Sequence, residues 1–211
     1  MLKLELAGAR KLLFLGSHAD DIEIGCGGTI LTLTDLHPDL EVRWVVLSGD
    51  ARRAREANAS ARLFLEKAGR SKIVTKRFKE SYFPSQLTRI KDYFETLKRF
   101  DPDLIFTHHR QDRHQDHRVV SELTWNTFRD HFILEYEIPK YDGDLGHRNF
   151  FFPVSREMSR RKAANIYRLF ESQKKRQWFS EDTFLALMRL RGVECGAEFA
   201  EAFYGWKIVS R

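Results

Sequence analysis

Four short apolar runs, each followed by a stretch of helical composition, occupy the first 130 residues and narrow the choice of fold more than any other feature. "KLLFLG" (11–16), "VRWVVLSG" (42–49), "KIVTKRF" (72–78) and "LIFTHH" (104–109) read as strands. "GCGGTILTLTDLHPD" (25–39) reads as a glycine-rich turn opening a helix that closes near Pro38. "ARRAREANASARLFLEKAG" (51–69), "SQLTRIKDYFETLKRF" (85–100) and "DHRVVSELTWNTFRD" (116–130) read as further helices. Strands alternating with helices cannot pair as hairpins, so the sequence predicts a three-layer, Rossmann-like α/β fold with a mostly parallel sheet. Residues 131–154 mix strand-like and loop-like segments, 155–173 and 180–196 read as helices, and "GWKIV" (205–209) as a last strand. With no repeat or linker, the expectation is one domain over residues 1–211.

In an open parallel sheet, ligands bind beyond the carboxyl ends of the strands. Two dense polar motifs fall on that rim: "HADDIEIGCGGT" (18–29) after the first strand and "HHRQDRHQDHR" (108–118) after the fourth. Histidines and a carboxylate drawn from two such loops are the donor set of a catalytic zinc site with an open position. His18 and Asp21 lie three apart, so one turn aims both at a single ion and leaves Asp20 beside it. His114 and His117 share that spacing; one would ligate while the other faces a substrate. Each cluster taken alone reads equally well as a solvated helix cap. The coincidence of both on one rim favours the metal.

These residues resemble the LmbE-like, or PIG-L-type, zinc-dependent de-N-acetylases, whose signature is a first-strand "HPDD(x)E" followed later by "HxDH". Here the two stand as "HADDIE" and "HQDH", in that order, with "RRARE" after the second strand and "YRLFESQ" later matching further segments. The resemblance implies the LmbE-like fold and zinc held by His18, Asp21 and His117. It also implies Asp20 as general base, His114 as a protonated electrophilic partner and Asp116 as the group that orients an imidazole. It puts Arg53 against the substrate and Glu56 in the matching helix start. One departure is Ala19 where the family has proline, which implies a looser turn and no lost ligand. The implied reaction is removal of acetyl from an N-acetylglucosamine-type sugar within a glycoconjugate or nucleotide-linked precursor. Another small amide at the same centre is the enzymatic alternative.

Other readings are weaker. Glycines 25, 27 and 28 resemble a phosphate cradle, but the carboxylates before them repel phosphate; close helix–strand packing is the better reading. His108 and Asp112 are further pocket candidates, "QKKRQW" (173–178) reads as a basic helix end, and "FFF" (150–152) as core. A magnesium phosphohydrolase is disfavoured by the histidines, since magnesium prefers oxygen. The net charge of +6 favours anionic partners without naming one. A basic non-catalytic binding module is the rival from another class, but it has no need of Asp20. A small-molecule or glycoconjugate substrate is therefore expected, and nucleic acid is not. A homo-oligomer is compatible with the sequence. No apolar run approaches the ~18 residues of a membrane span, and residues 1–16 lack the continuous apolar stretch of a signal peptide. Cys26 and Cys195 belong to no CxxC motif, which suits buried, reduced thiols and a cytoplasmic setting.

Overall fold

The computed structural model describes residue 6 and residues 8–209. Strands β1 (Lys11–Gly16), β2 (Glu41–Ser48), β3 (Arg70–Phe78), β4 (Leu104–His108), β5 (Phe132–Tyr136), β6 (Phe150–Val154) and β7 (Phe199–Gly205) form one sheet. Its order is β3-β2-β1-β4-β5-β7-β6. The five strands from β3 to β5 are parallel, and β7 runs antiparallel to both of its neighbours. The helices are α1 (Asp21–Leu36), α2 (Ala51–Phe64), α3 (Leu87–Leu97), α4 (Gln115–Thr127), α5 (Arg156–Leu169) and α6 (Glu181–Cys195).

Side chains alternate across a strand, and β1 shows the consequence. Leu12 and Phe14 join a core with Ile22 and Ile30 of α1, Phe64 of α2, Ile166 of α5 and Phe184 of α6. Leu13 and Leu15 point the other way, to Ile90 and Phe94 of α3 and Val120 and Leu123 of α4. Both faces of the strand are therefore buried, which explains its continuous apolar composition. Because β1 is flanked by β2 on one side and β4 on the other, the strand order reverses there. The loops leaving β1 and β4 diverge to opposite faces and open a crevice between them.

The first helix differs from expectation. It begins at Asp21, four residues before the glycines, because Asp21 and Glu23 suit the positive end of a helix. The glycines lie inside it, and a Cβ on Gly25 would come 2.3 Å from the Tyr136 ring, so only glycine lets α1 lie this close to β5. The helix kinks at Cys26 (φ −146°), and a buried ion pair spans the kink. Glu201 of β7 accepts the Gly28 and Thr29 amides at 2.8 and 2.7 Å, capping the second half. Lys162 of α5 donates to the Ile24 carbonyl and to Glu201, both at 2.6 Å, closing the first half. Lys162→Ala would leave the Glu201 carboxylate buried without its cation, and we expect it to cost about 3–5 kcal/mol in urea unfolding.

Further boundaries moved. The helix read over 51–69 stops at Phe64, and that over 85–100 is α3 flanked by 3-10 turns at Phe83–Gln86 and Lys98–Phe100. The last strand is Phe199–Gly205 and not 205–209, because Gly196 ends α6 in the left-handed region (φ 72°) and frees the following residues to pair. "EFAEAFYG" looks amphipathic, but Glu201 points inward to Lys162, so the pattern conceals a buried strand. Cys26 is buried, whereas Cys195 is only half-buried; both are free thiols. Phe150 is buried and its two neighbours half-buried. No helix among the described residues is long and apolar enough to cross a membrane.

Candidate metal centre

The crevice at the β1/β4 reversal holds the two polar motifs. His18 and Asp20 lie in the loop leaving β1, and Asp21 is the first residue of α1. His114 caps α4 and His117 lies in its first turn. His18 Nδ1 and His117 Nε2 are 3.1 Å apart. The Asp21 carboxylate sits against both, with Oδ2 3.4 Å from His18 Nδ1 and Oδ1 3.5 Å from His117 Nε2. A tetrahedral ion with bonds of about 2.0–2.1 Å has ligand–ligand edges of about 3.3 Å. The two nitrogens are close to that spacing and each lies near it from the Asp21 carboxylate, though through different oxygens, and 99 residues separate the two imidazoles.

Each imidazole is aimed by a carboxylate behind it. His117 Nδ1 is 2.9 Å from Asp112 Oδ2, and His18 Nε2 is 3.1 Å from Asp116 Oδ2. These bonds occupy one ring nitrogen and present the other to the trio, as metal-binding histidines require. Asp112 is itself fixed by the His114 amide (2.7 Å) and Lys140 Nζ (3.1 Å). Asp116 accepts the Ser81 and Phe83 amides at 2.6 and 3.1 Å, which also seats Ser81 at its unusual φ of 66°. Burial, with the charge of His108, holds His117 down at about 3, so its Nε2 carries a lone pair. Burial also works against charge on His18, but Asp21 and Asp116 outweigh it and raise His18 to about 10. Asp112→Ala would release the His117 ring. We expect metal affinity to fall about 10–100-fold, measured by competition with a chelator, with the fold intact by circular dichroism.

With one donor atom taken from each residue, two groups among the described residues lie within 4.8 Å of one another: His18, His114 and His117, and Asp21, His108 and His117. The surroundings disfavour both as complete ligand sets. His108 Nε2 is enclosed by the Ser17 amide at 3.0 Å, Asp21 Oδ2 at 3.1 Å and the Tyr136 hydroxyl at 3.2 Å. His114 Nδ1 accepts the Asp116 amide at 3.2 Å, as a helix cap.

Asp20 is buried beside the trio, and Arg53 Nη2 donates to its Oδ1 at 2.7 Å. Burial raises Asp20 above the usual carboxylate range against the pull of Arg53. Burial opposes the charge on Arg53, and Asp20 outweighs it. Arg53, for which the resemblance implied contact with substrate, lies on Asp20 and also lines the cleft. Burial and the charge of His18 lower His114. Glu23 is fully buried, away from the crevice, and burial holds its carboxyl well above the usual range.

A cleft of about 230 Å³ opens over the trio, walled by Arg53, Glu80, Lys140, Tyr141, Gln173, Arg176 and Trp178. Asp112 could be found from its place five residues before His117. Lys140 belongs to no motif, and Gln173 and Trp178, at the two ends of "QKKRQW", read in the sequence only as part of a basic helix end; the fold brings all three to the cleft.

Residues 13–128, more than half of the chain, match the family model described as "PIG-L: GlcNAc-PI de-N-acetylase". The chain belongs to the GlcNAc-PI de-N-acetylase family. Its fold is shared by the N,N'-diacetylchitobiose deacetylase of Pyrococcus horikoshii, with 22% identity and a TM-score of 0.74 over 94% of this chain and 84% of that one. A zinc-inhibited form of teicoplanin deacetylase Orf2 matches with 14% identity and a TM-score of 0.71, over 92% and 97%. GalB, a 4-carboxy-2-hydroxymuconate hydratase from Pseudomonas putida KT2440, matches with 14% identity and a TM-score of 0.72, over 96% and 98%. Fold alone therefore spans more than one reaction, and the choice within this GlcNAc-PI de-N-acetylase family member rests on its site residues.

Proposed function

We propose that the chain is a zinc-dependent hydrolase that removes the acetyl group from an N-acetylated amino sugar carried by a larger molecule, giving acetate and a free amine. The observation that carries this reading is the convergence of His18 Nδ1, His117 Nε2 and the Asp21 carboxylate, with contacts of 3.1–3.5 Å, beside Asp20 and below an open cleft. Two nitrogens and one carboxylate suit zinc better than magnesium, which prefers an all-oxygen shell. Bound zinc would supply Lewis acidity, lowering the pKa of water to about 7 and polarising the amide carbonyl.

The chain's own residues do the rest. Asp20 takes the proton of the attacking water, with Arg53 fixing Oδ1 and Oδ2 left to act as the base. His114 presents Nε2–H to the carbonyl oxygen as charge develops there. It does so as a neutral imidazole, because Nδ1 is already an acceptor and burial disfavours a second proton. This reading differs from the protonated His114 that the resemblance implied. As the C–N bond breaks, the proton held by Asp20 passes to the departing nitrogen. Atoms balance as amide plus water giving carboxylic acid plus amine.

The test is elemental analysis of purified protein together with acetate release from a panel of N-acetylhexosamine derivatives. Stoichiometric zinc with chelator-sensitive acetate release is expected. A zinc-loaded protein that releases acetate from none of them would remove this reading.

A further inference from the structure

The 3-10 turn Glu171–Gln173 contributes Gln173 to the cleft wall, and α2 holds the turn in place. Glu56 of α2 accepts the Ser172 amide at 3.0 Å and the Ser172 hydroxyl through its second oxygen. With its one proton given to Glu56, the Ser172 hydroxyl can only accept from a further neighbour. The Gln173 amide NH2 donates to it at 3.1 Å. That settles which way the amide faces, because an oxygen turned toward Ser172 would meet lone pairs. Gln173 is only 5% exposed, and its Oε1 has no hydrogen-bond partner among the described residues. Yet Oε1 is not among the buried unpartnered atoms, and Gln173 lines the cleft with His18, Asp20, Arg53 and Trp178. A fixed, single acceptor therefore faces the cavity.

We propose that Gln173 is a specificity residue whose Oε1 accepts a hydrogen bond from a ring hydroxyl of the substrate. This rests on the amino-sugar reading above and adds to it the contact that selects a hydroxylated ring. A ligand presenting an apolar group or an anion at this position would leave the carbonyl dehydrated and unpaired, at a cost of about tenfold or more in affinity. A hydroxyl donor satisfies it. Trp178 on the same wall offers an apolar surface for the C–H edges of such a ring. One helix serves both ends of the substrate: Arg53 fixes Asp20 at the reacting amide, and Glu56, one turn on, fixes the turn bearing Gln173.

The experiment uses zinc-loaded protein with N-acetylglucosamine and its 3-, 4- and 6-deoxy analogues. Binding is read by calorimetry and turnover by acetate release. In the wild type, one analogue should lose at least about tenfold in affinity. Gln173→Leu should lose a similar factor with the parent sugar and show no further penalty for that analogue, so the two losses are not additive. Ser172→Ala, which frees the amide, should weaken the discrimination in the same direction and serves if Gln173→Leu does not fold. A penalty that survives in both variants overturns the proposal, as does a parent sugar bound equally well by all three proteins. Discrimination in binding without acetate release overturns the reaction and keeps the contact. Acetate release without discrimination does the reverse, and neither binding nor release overturns both.

Discussion

Zinc content falls from stoichiometric to trace in His117→Ala, the largest effect expected of any single change. The side chain is 2% exposed, and its Nε2 stands within 3.5 Å of both other members of the trio. Loss of a group that merely orients a ligand costs about 10–100-fold in affinity, and loss of the ligand itself should exceed that. Alanine also removes the ring that stacks on His108 at 3.8 Å, so some stability is lost with the metal. Unfolding curves recorded with and without zinc separate the two: the wild type should be stabilised by the ion and the variant should not. Full occupancy in the folded variant would transfer the ligand role to another group and dismantle the centre described above.

Asp20→Asn should leave metal content near stoichiometric and lower kcat by about 10²–10⁴-fold. The carboxamide oxygen of the replacement side chain preserves an acceptor for Arg53 Nη2, which lies 2.7 Å from Asp20 Oδ1 in the wild type, so the geometry of the wall survives. The carboxamide cannot take a proton from water, so the chemical step alone suffers. Measured kcat, normalised to bound zinc, decides the matter, and a rate within a few-fold of wild type would exclude Asp20 as the base.

Much of the centre was legible because both of its halves are local. His18, Asp20 and Asp21 sit within one turn after β1, and His114, Asp116 and His117 within one turn at the start of α4. A parallel sheet places both segments on the same rim, so recognising the alternation of strands and helices was enough to bring them near each other. Arg53 was harder to read. Its position on α2 was visible, but its partner was not, because the direction of a long side chain depends on which carboxylate the fold puts within reach. The strand around Glu201 was not legible at all: a charged residue breaks up a short apolar stretch, and the arrival of Lys162 from α5 is what makes its burial tolerable.

The alternation of strands and helices over the first 130 residues, the rim on which the polar motifs lie and the residue types offered there as donors follow from the residues alone. Each depends on local composition and on the two-residue and 3.6-residue periods of strands and helices. The 3.1 Å approach of His18 to His117, the clamp of Glu56 on Ser172 and the turning of Gln173 toward the cleft were decided by tertiary structure. These contacts join segments about 100 residues apart, or set the rotation of one side chain. No local pattern encodes either, since packing of the whole sheet and its helices fixes them together.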